Sequence, residues 1–569
     1  MKIDYDGDLL FVEPQTVNEN SDIERLHFLK EKNDKYYTYW PFLKNIVDVF
    51  PNAQITKTSI PLLESSFNRH KAIIKIGEGD TSSSTVNNLY KDIDTVFKKD
   101  DVRAPYNFQK TGIVFLYLSR KSVLADDVGL GKTIQALGSI LLHIKKGNVS
   151  KGIIICPSSI KYQWRNEITN WTNDNIIKDV RSKIIVIDGP LDARKELYKQ
   201  DAVFYIMNYE IILRDYDILK PLFEQSDFVI VDEASKIKNR DTKTYKALTK
   251  LSDNLSIKYM LTATPIENGL HDLFSISQYL NPNTFVRYAF FRNEYCNFIN
   301  IRAKDGRVFE KLVGYKNLQD AKAKVKNIYL RRTAGEVKLQ LPEIIYNNYF
   351  MDLDKDQRAS YEKIKEGILN DKTMKVINIL AQMTYMQEIC NSIELIDKDK
   401  KYKAPKIEEL KRLINTELSN TKIIIFSRFE KFTRIIKREL AEHSPLYLCG
   451  ATPSNEREIL KNQFDVGDSK ILIATEAGER GLNLQIASVI INMDLPFNPA
   501  KLKQRIGRIY RIGSKHETIR VINLLTNDTV EERVLKLLEG KRDIFLNFFK
   551  LDSYDPIMKL GSDELKKLL

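Results

Sequence analysis

Short apolar runs, each closed by a small or polar residue, punctuate the chain. GIIICP starts at Gly152, DFVIVDEAS at Asp227 and KYMLTATP at Lys258; KIIIFS follows from Lys422, KILIATEAG from Lys470 and SVIINMDLP from Ser488. All but KYMLTATP are rich in Ile or Val, and all barely alternate with polar residues. That pattern belongs to strands buried on both faces, hence to a parallel sheet covered by helices. Helix-like stretches such as TIQALGSILLHIKK lie between the runs, and strand alternating with helix predicts an α/β fold. The runs fall into two groups, 103–282 and 420–530, so two α/β lobes are expected.

Between the groups, 283–420 carries long helical patterns, among them DKDQRASYEKIKEGILN and APKIEELKRLINTEL, which predict helical elaborations between the sheets. No β-hairpin or wedge segment is visible in the pattern. Residues 1–100 have mixed polarity and a Ser-rich break at GDTSSSTVNN, and are expected to form a separate accessory domain. Residues 531–569 are Lys/Leu-rich and helical in pattern, a C-terminal brace. No repeat at a solenoid period is present.

Composition narrows the class. Lys and Arg outnumber Asp and Glu by 89 to 76, a formal charge of +13, which fits either a polyanion partner or a Lys-rich solvated surface. The cysteines, Cys156, Cys296, Cys390 and Cys449, are far apart and form no Cys-x-x-Cys pair, which argues against a zinc site and a secreted disulfide framework. The acidic start MKIDYDGDLLFVEPQ is not a signal peptide. No apolar run approaches the roughly 20 residues of a membrane span, so the expected compartment is cytoplasmic or nucleoid/nuclear.

Three stretches carry chemistry. DDVGLGKT, Asp126 to Thr133, follows an apolar strand and precedes a helix, the context of a phosphate loop. Gly129 and Gly131 let backbone N–H groups face phosphate oxygens, Lys132 neutralises the β and γ phosphates, and Thr133 can ligate Mg²⁺. The strict pattern has Gly where this chain has Asp126. VIVDEAS ends a buried strand with Asp232 and Glu233, where open α/β sheets place ligands: Asp232 suits Mg²⁺, and Glu233 can deprotonate the attacking water. QRIGRIYRIG, from Gln504, sets Arg508 and Arg511 three apart. On the second lobe these would reach the γ-phosphate and stabilise transition-state charge only when the lobes close.

These stretches, in this order, resemble the Swi2/Snf2 family of superfamily 2 helicase-like ATPases over about 103–545. NFQKTG is similar to the adenine-recognising Q motif. ADDVGLGKTIQAL resembles motif I, in which Asp at position 126 is usual. ICPSSIKYQWRNE, IMNYE, DEASKIKN, LTATPIENGLHDLFSI, YLRRTAGEV and LPE follow in family order, and QEICN, KIIIFSRF, GATPSNER, ATEAGERGLNLQ, PFNPAKLKQRIGRIYRIGS and TVEERV continue it. Ser235 stands where the family usually has His, Ser514 where Gln is common, and PFNP replaces a more aromatic block. Asp126-Asp127 and TPSNER also resemble the annealing-helicase branch, while motif III resembles the ordinary Snf2 branch.

The resemblance implies two RecA-like lobes with parallel sheets: 101–345 as the ATP-binding lobe with an insertion at about 283–330, and 346–545 as the second lobe with an insertion at about 355–418, followed by a helical tail, 546–569. It implies ATP and Mg²⁺ as cofactors. Gln109, as the base reader, joins Asp127, Gly129, Gly131, Lys132, Thr133 and Gln504 around the nucleotide. Pro157, Ser158, Thr475, Gly478 and Asn483 are the implied nucleic-acid contacts. The expected function is an ATP-dependent motor on duplex DNA, sequence-nonspecific because phosphate contacts position without specifying. Protein partners would dock through 1–100. An RNA helicase of the same superfamily and a nucleotide-gated scaffold that does not hydrolyse ATP are the alternatives.

Overall fold

A computed structural model of the chain describes residues 2–5, 9–13, 30–32, 35–39, 46, 50, 53–98, 104–266, 269–282, 284–285, 287–302, 308–337, 341–370, 376–396, 404–475 and 484–540. Two all-parallel sheets dominate, one in each lobe. The first has seven strands in the order Tyr329–Leu330, Lys121–Leu124, Ile257–Leu261, Phe228–Asp232, Gly152–Cys156, Phe204–Asn208 and Ile184–Val186. The second has six, in the order Glu343–Met351, Thr518–Thr526, Val489–Asn492, Ile423–Phe426, Ile471–Ala474 and Leu446–Leu448. Each of the six apolar runs is a strand of one of these sheets.

Burial on both faces explains the uninterrupted apolar composition. Every residue of Gly152–Cys156 and of Ile257–Leu261 is buried, between two apolar clusters on opposite faces of the first sheet. Each fully buried Ile, Val or Leu contributes about 1.5–3 kcal/mol. The second sheet is likewise sandwiched by two clusters. A further cluster joins its inserted helices Lys355–Asn370 and Val376–Asn391 to the Val530–Gly540 helix.

Three features differ from the sequence expectation. The helix Ser84–Val96, capped by the Ser83 side chain, presents Val86, Leu89, Ile93 and Val96 on one face. These join Ile73 and Ile76 of the helix Ser59–Gly77 in the first lobe's own cluster. The second half of the expected accessory domain is therefore a layer of the first lobe. What precedes it is a small five-stranded sheet, antiparallel except where Lys2–Tyr5 runs parallel to Gln54–Ile55.

The expected boundary at 345/346 falls inside the strand Glu343–Met351, which pairs with Thr518–Thr526 along its length. Its mixed polarity fits an edge strand and hid it from an apolar-run search. The insertion at 283–330 is not wholly helical: an antiparallel hairpin, Cys296–Arg302 with Val308–Tyr315, stands between the helices Tyr288–Tyr295 and Leu318–Val325. The expected tail, 546–569, lies outside the described residues.

Candidate active site

The strand Lys121–Leu124 ends in Asp126-Asp127, and the chain turns through Gly129 and Gly131, both at positive φ, into the helix Lys132–Lys145. Gly129 has a steric reason beyond its φ of 84°. A Cβ there would lie 2.5 Å from the Tyr510 carbonyl oxygen and 3.2 Å from Arg511 Cα. The arginine-bearing segment of the second lobe thus rests directly on the phosphate loop. Gly507 meets Val128 in the same way, with an added Cβ 2.8 Å from the valine's Cβ.

Between the lobes opens a cavity of about 730 Å³. Lys132, Thr133, Asp232 and Glu233 line it from the first lobe, and Arg508 and Arg511 line it from the second. All five residues expected to carry the chemistry therefore face one space. Lys132 Nζ donates to the carbonyls of Asp126 (2.7 Å) and Asp127 (3.1 Å) within its own loop. Burial lowers its pKa, opposed by the carboxylates of Glu233, Asp126 and Asp232. Arg508 Nε donates to the Gln504 carbonyl at 2.9 Å and Arg511 Nε to the Gly507 carbonyl at 2.7 Å, which fixes both guanidinium stems on their own turn.

Asp232 is held from several sides. Trp164 Nε1 donates to its Oδ2 at 2.9 Å, and the Glu233 N–H donates to its Oδ1 at 2.8 Å. The Tyr209 hydroxyl donates to its backbone carbonyl at 2.5 Å. Burial, and then the adjacent Glu233 carboxylate, raise its pKa to about 6. Two acids in one partly desolvated corner carry negative charge that a cation would relieve. Glu233 itself sits at φ 52°, a left-handed turn that is rare for a residue with a side chain.

Other expected contacts are placed differently. Gln109 lines the cavity, but its amide is engaged: Oε1 accepts the Tyr106 N–H at 3.0 Å and Nε2 donates to the Leu130 carbonyl at 3.2 Å. It caps the helix Asn107–Ser119 and ties it to the phosphate loop. Asp127 and Gln504 are not among the lining residues. Asp127 accepts from the Ala334 N–H at 3.4 Å and lies 3.6 Å from Arg331. Of the expected nucleic-acid contacts, Ser158 is exposed, Pro157 and Thr475 are buried, and Gly478 and Asn483 lie outside the described residues.

Several functional partners escaped the residue-level reading. Asp126 is fully buried and accepts from Arg332 Nε at 3.1 Å and from Gln135 Nε2 at 3.0 Å. That network gives the physical reason for an acid at position 126: it joins the phosphate loop to the RR pair at the end of the first lobe. Trp164 and Tyr209 lie within quoted blocks, yet nothing in their spacing announces a bond to Asp232. Across the cleft, Asn166 donates to Glu458 of the helix Ser454–Val466. Among the described residues, no helix is long and apolar enough to cross a membrane.

Residues 108–401 match the SNF2-related domain, and residues 405–513 match the helicase conserved C-terminal domain. YqhH of Bacillus subtilis (strain 168), described as an uncharacterized ATP-dependent helicase, is 28% identical over 472 residues, which cover 78% of each chain. YwqA of the same organism, a putative ATP-dependent helicase/translocase, is 29% identical over 489 residues, or 81% of this chain. The chain spans 50% of YwqA, about half the length of that relative. The Sulfolobus solfataricus SWI2/SNF2 ATPase core in complex with dsDNA is 27% identical, covering 82% of this chain and 97% of its own, with a TM-score of 0.38.

Proposed function

The chain belongs to the SNF2-related family of ATP-dependent helicases, and from that membership we propose that it is a DNA-dependent ATPase that steps along duplex DNA. The observation that carries the reading is the shared cavity, with Lys132, Asp232 and Glu233 on one wall and Arg508 and Arg511 on the other. A site divided between two lobes is complete only when they close, so hydrolysis can be tied to lobe movement.

Lys132 exchanges its two loop carbonyls for the β and γ phosphates of ATP. Glu233 takes the proton of the attacking water, and Arg508 and Arg511 stabilise charge on the transferring phosphoryl group. Trp164 and Tyr209 hold Asp232 in place. The hydroxyl of Thr133 and the carboxylate of Asp232 are hard oxygen donors of the kind Mg²⁺ takes. When bound, that ion supplies charge neutralisation across the phosphates. Gln109 fixes the loop while the site is open and, as the base reader, turns its amide from the Tyr106 N–H and the Leu130 carbonyl to the adenine edge on nucleotide entry.

Duplex DNA as the track is supported by family membership and by the +13 charge, with Ser158 and the backbones near Pro157, Thr475, Gly478 and Asn483 as phosphate contacts. The hairpin of the first lobe removes one argument against strand opening, so function has to separate stepping from unwinding. ATP turnover measured with duplex DNA, single-stranded DNA and RNA is expected to rise most with duplex. ATP-dependent displacement of a third strand from a triplex, with weak unwinding of a fork, is the expected signature of stepping. Greater stimulation by RNA would make it an RNA motor, and no turnover on any nucleic acid would make it a scaffold.

A further inference from the structure

The hairpin Cys296–Arg302/Val308–Tyr315 belongs to none of the ATP machinery, and its composition is unusual for this chain. From Arg287 to Lys326 there are ten Lys and Arg against four Asp and Glu, a surplus of six in forty residues, against +13 for all 569. Some of these cations are occupied: Arg292 pairs with Glu310 and stacks 4.1 Å over the Phe298 ring, and Lys324 pairs with Asp320 at 3.1 Å. Arg287, Arg302 and Lys316 are exposed and in no ion pair among the described residues. They sit ahead of the inserted helix, at the far end of the first strand and just past the second.

The ribbon is rigidly rooted. Phe298, Leu312 and Tyr315 pack against the first lobe's core. The Tyr315 hydroxyl accepts the Leu270 N–H at 3.3 Å. Gly269 makes room for it: at φ 126° it adopts a backbone that L side chains rarely take, and a Cβ there would fall 2.0 Å from that hydroxyl oxygen. At the other root, Arg240, in the loop after Asp232-Glu233, lies 3.8 Å from the Tyr288 ring centroid. Beyond the roots, Ile299 and Val313 are exposed. Seven residues of strand reach about 20 Å, a length over which one strand of a duplex presents roughly six phosphates. A two-stranded ribbon is also of a size that the major groove admits.

We propose that this hairpin is a second duplex-DNA contact, in which Arg287, Arg302 and Lys316 engage backbone phosphates. The occupant follows from charge: three exposed cations at the two ends of a firmly rooted ribbon, within a segment that carries a surplus of six, complement a polyanion. The proposal rests on the duplex-DNA reading above, and the test keeps the two apart.

The test is the salt dependence of binding, read by fluorescence anisotropy with the full chain and a labelled 30-base-pair duplex. Three lost phosphate contacts lower the slope of log K against log salt by about 2.7. Between 50 and 200 mM salt the wild-type affinity is then expected to fall about 40-fold more than that of R287A/R302A/K316A. The charge-keeping variant R287K/R302K/K316R is expected to retain the wild-type slope, which separates phosphate contact from a fold defect. If the wild type binds duplex and the alanine variant keeps its slope, the hairpin is not a DNA contact, the surface is left to a protein partner, and the motor reading stands. If the wild type binds no duplex at all, both readings fall.

Discussion

Two groups of buried ionisable residues, one in each lobe, use the same chemistry to opposite ends. In the second lobe, Lys406 and Glu531 are fully buried and 2.6 Å apart. Lys406 also donates to Asn391 Oδ1 at 2.9 Å and to the Met493 carbonyl at 2.6 Å, and Glu531 accepts from the N–H (3.0 Å) and hydroxyl (2.9 Å) of Thr526. Asn391 passes the network on to Asp494 at 3.1 Å, and Arg505 joins through the Asp494 carbonyl at 2.8 Å. Every strong charge there has a protein partner. In the cleft, Lys132, Asp232 and Glu233 face a cavity, and the lysine makes do with loop carbonyls. The charges of the second lobe are satisfied within the fold; those of the cleft also face open space and keep capacity for a ligand.

Removing a charge from each group is expected to move different observables. Glu233→Gln keeps the shape of the cleft but not the proposed base, so kcat for ATP is expected to drop about 10³-fold while nucleotide affinity and the melting temperature hold. Arg511→Ala, on the opposite wall, is expected to lower kcat about 10²-fold. An equal loss of ATP affinity with kcat unchanged would reassign Arg511 to ground-state binding.

In the paired group, Lys406→Met strands the Glu531 carboxylate in the interior, where burial already raises its pKa and only Lys406 and Thr526 oppose the shift. A loss of about 3–5 kcal/mol in urea unfolding is expected. The double variant Lys406→Met/Glu531→Leu, with no charge to strand, is expected to recover most of it. If the single variant unfolds as the wild type does, the network is not structural.

That contrast also sets what the sequence could disclose. Ile- and Val-rich runs announced the central strands because burial on both faces excludes polar residues. The phosphate loop and the Asp-Glu pair were legible because their chemistry needs residue types at fixed spacing. QEICN and TVEERV were recognisable as blocks, yet their reason, a buried network running from Asn391 through Lys406 to Glu531, joins residues 140 positions apart that only the fold brings together. The edge strand Glu343–Met351 and the hairpin alternate exposed and half-buried residues, so no apolar run marked them. The helix Ser84–Val96 lay in a stretch that read only as mixed in polarity, and its apolar face, Val86, Leu89, Ile93 and Val96, does not by itself say which core it will join.

The smallest expected effect lies where the ATP side meets the hairpin. Tyr315→Phe removes one half-buried acceptor and leaves the Leu270 N–H, in the first turn of the helix Leu270–Leu280, without its partner. First-turn N–H groups have no partner inside their own helix, so the cost is about 1 kcal/mol, readable as a small fall in melting temperature. The helix follows the loop that leaves the strand Ile257–Leu261, the direct neighbour of the Asp232 strand. A hairpin that grips DNA would therefore be tied to the backbone that borders Asp232 and Glu233. Loosening that tie is expected to reduce stimulation of kcat by duplex DNA two- to five-fold, on the order of 0.5–1 kcal/mol, with the DNA-free rate within about twofold of wild type. Equal losses in both rates would make the Tyr315 contact a structural peg. A selective loss would show that the site with open charges is regulated from the ribbon, beyond the reach of either paired network.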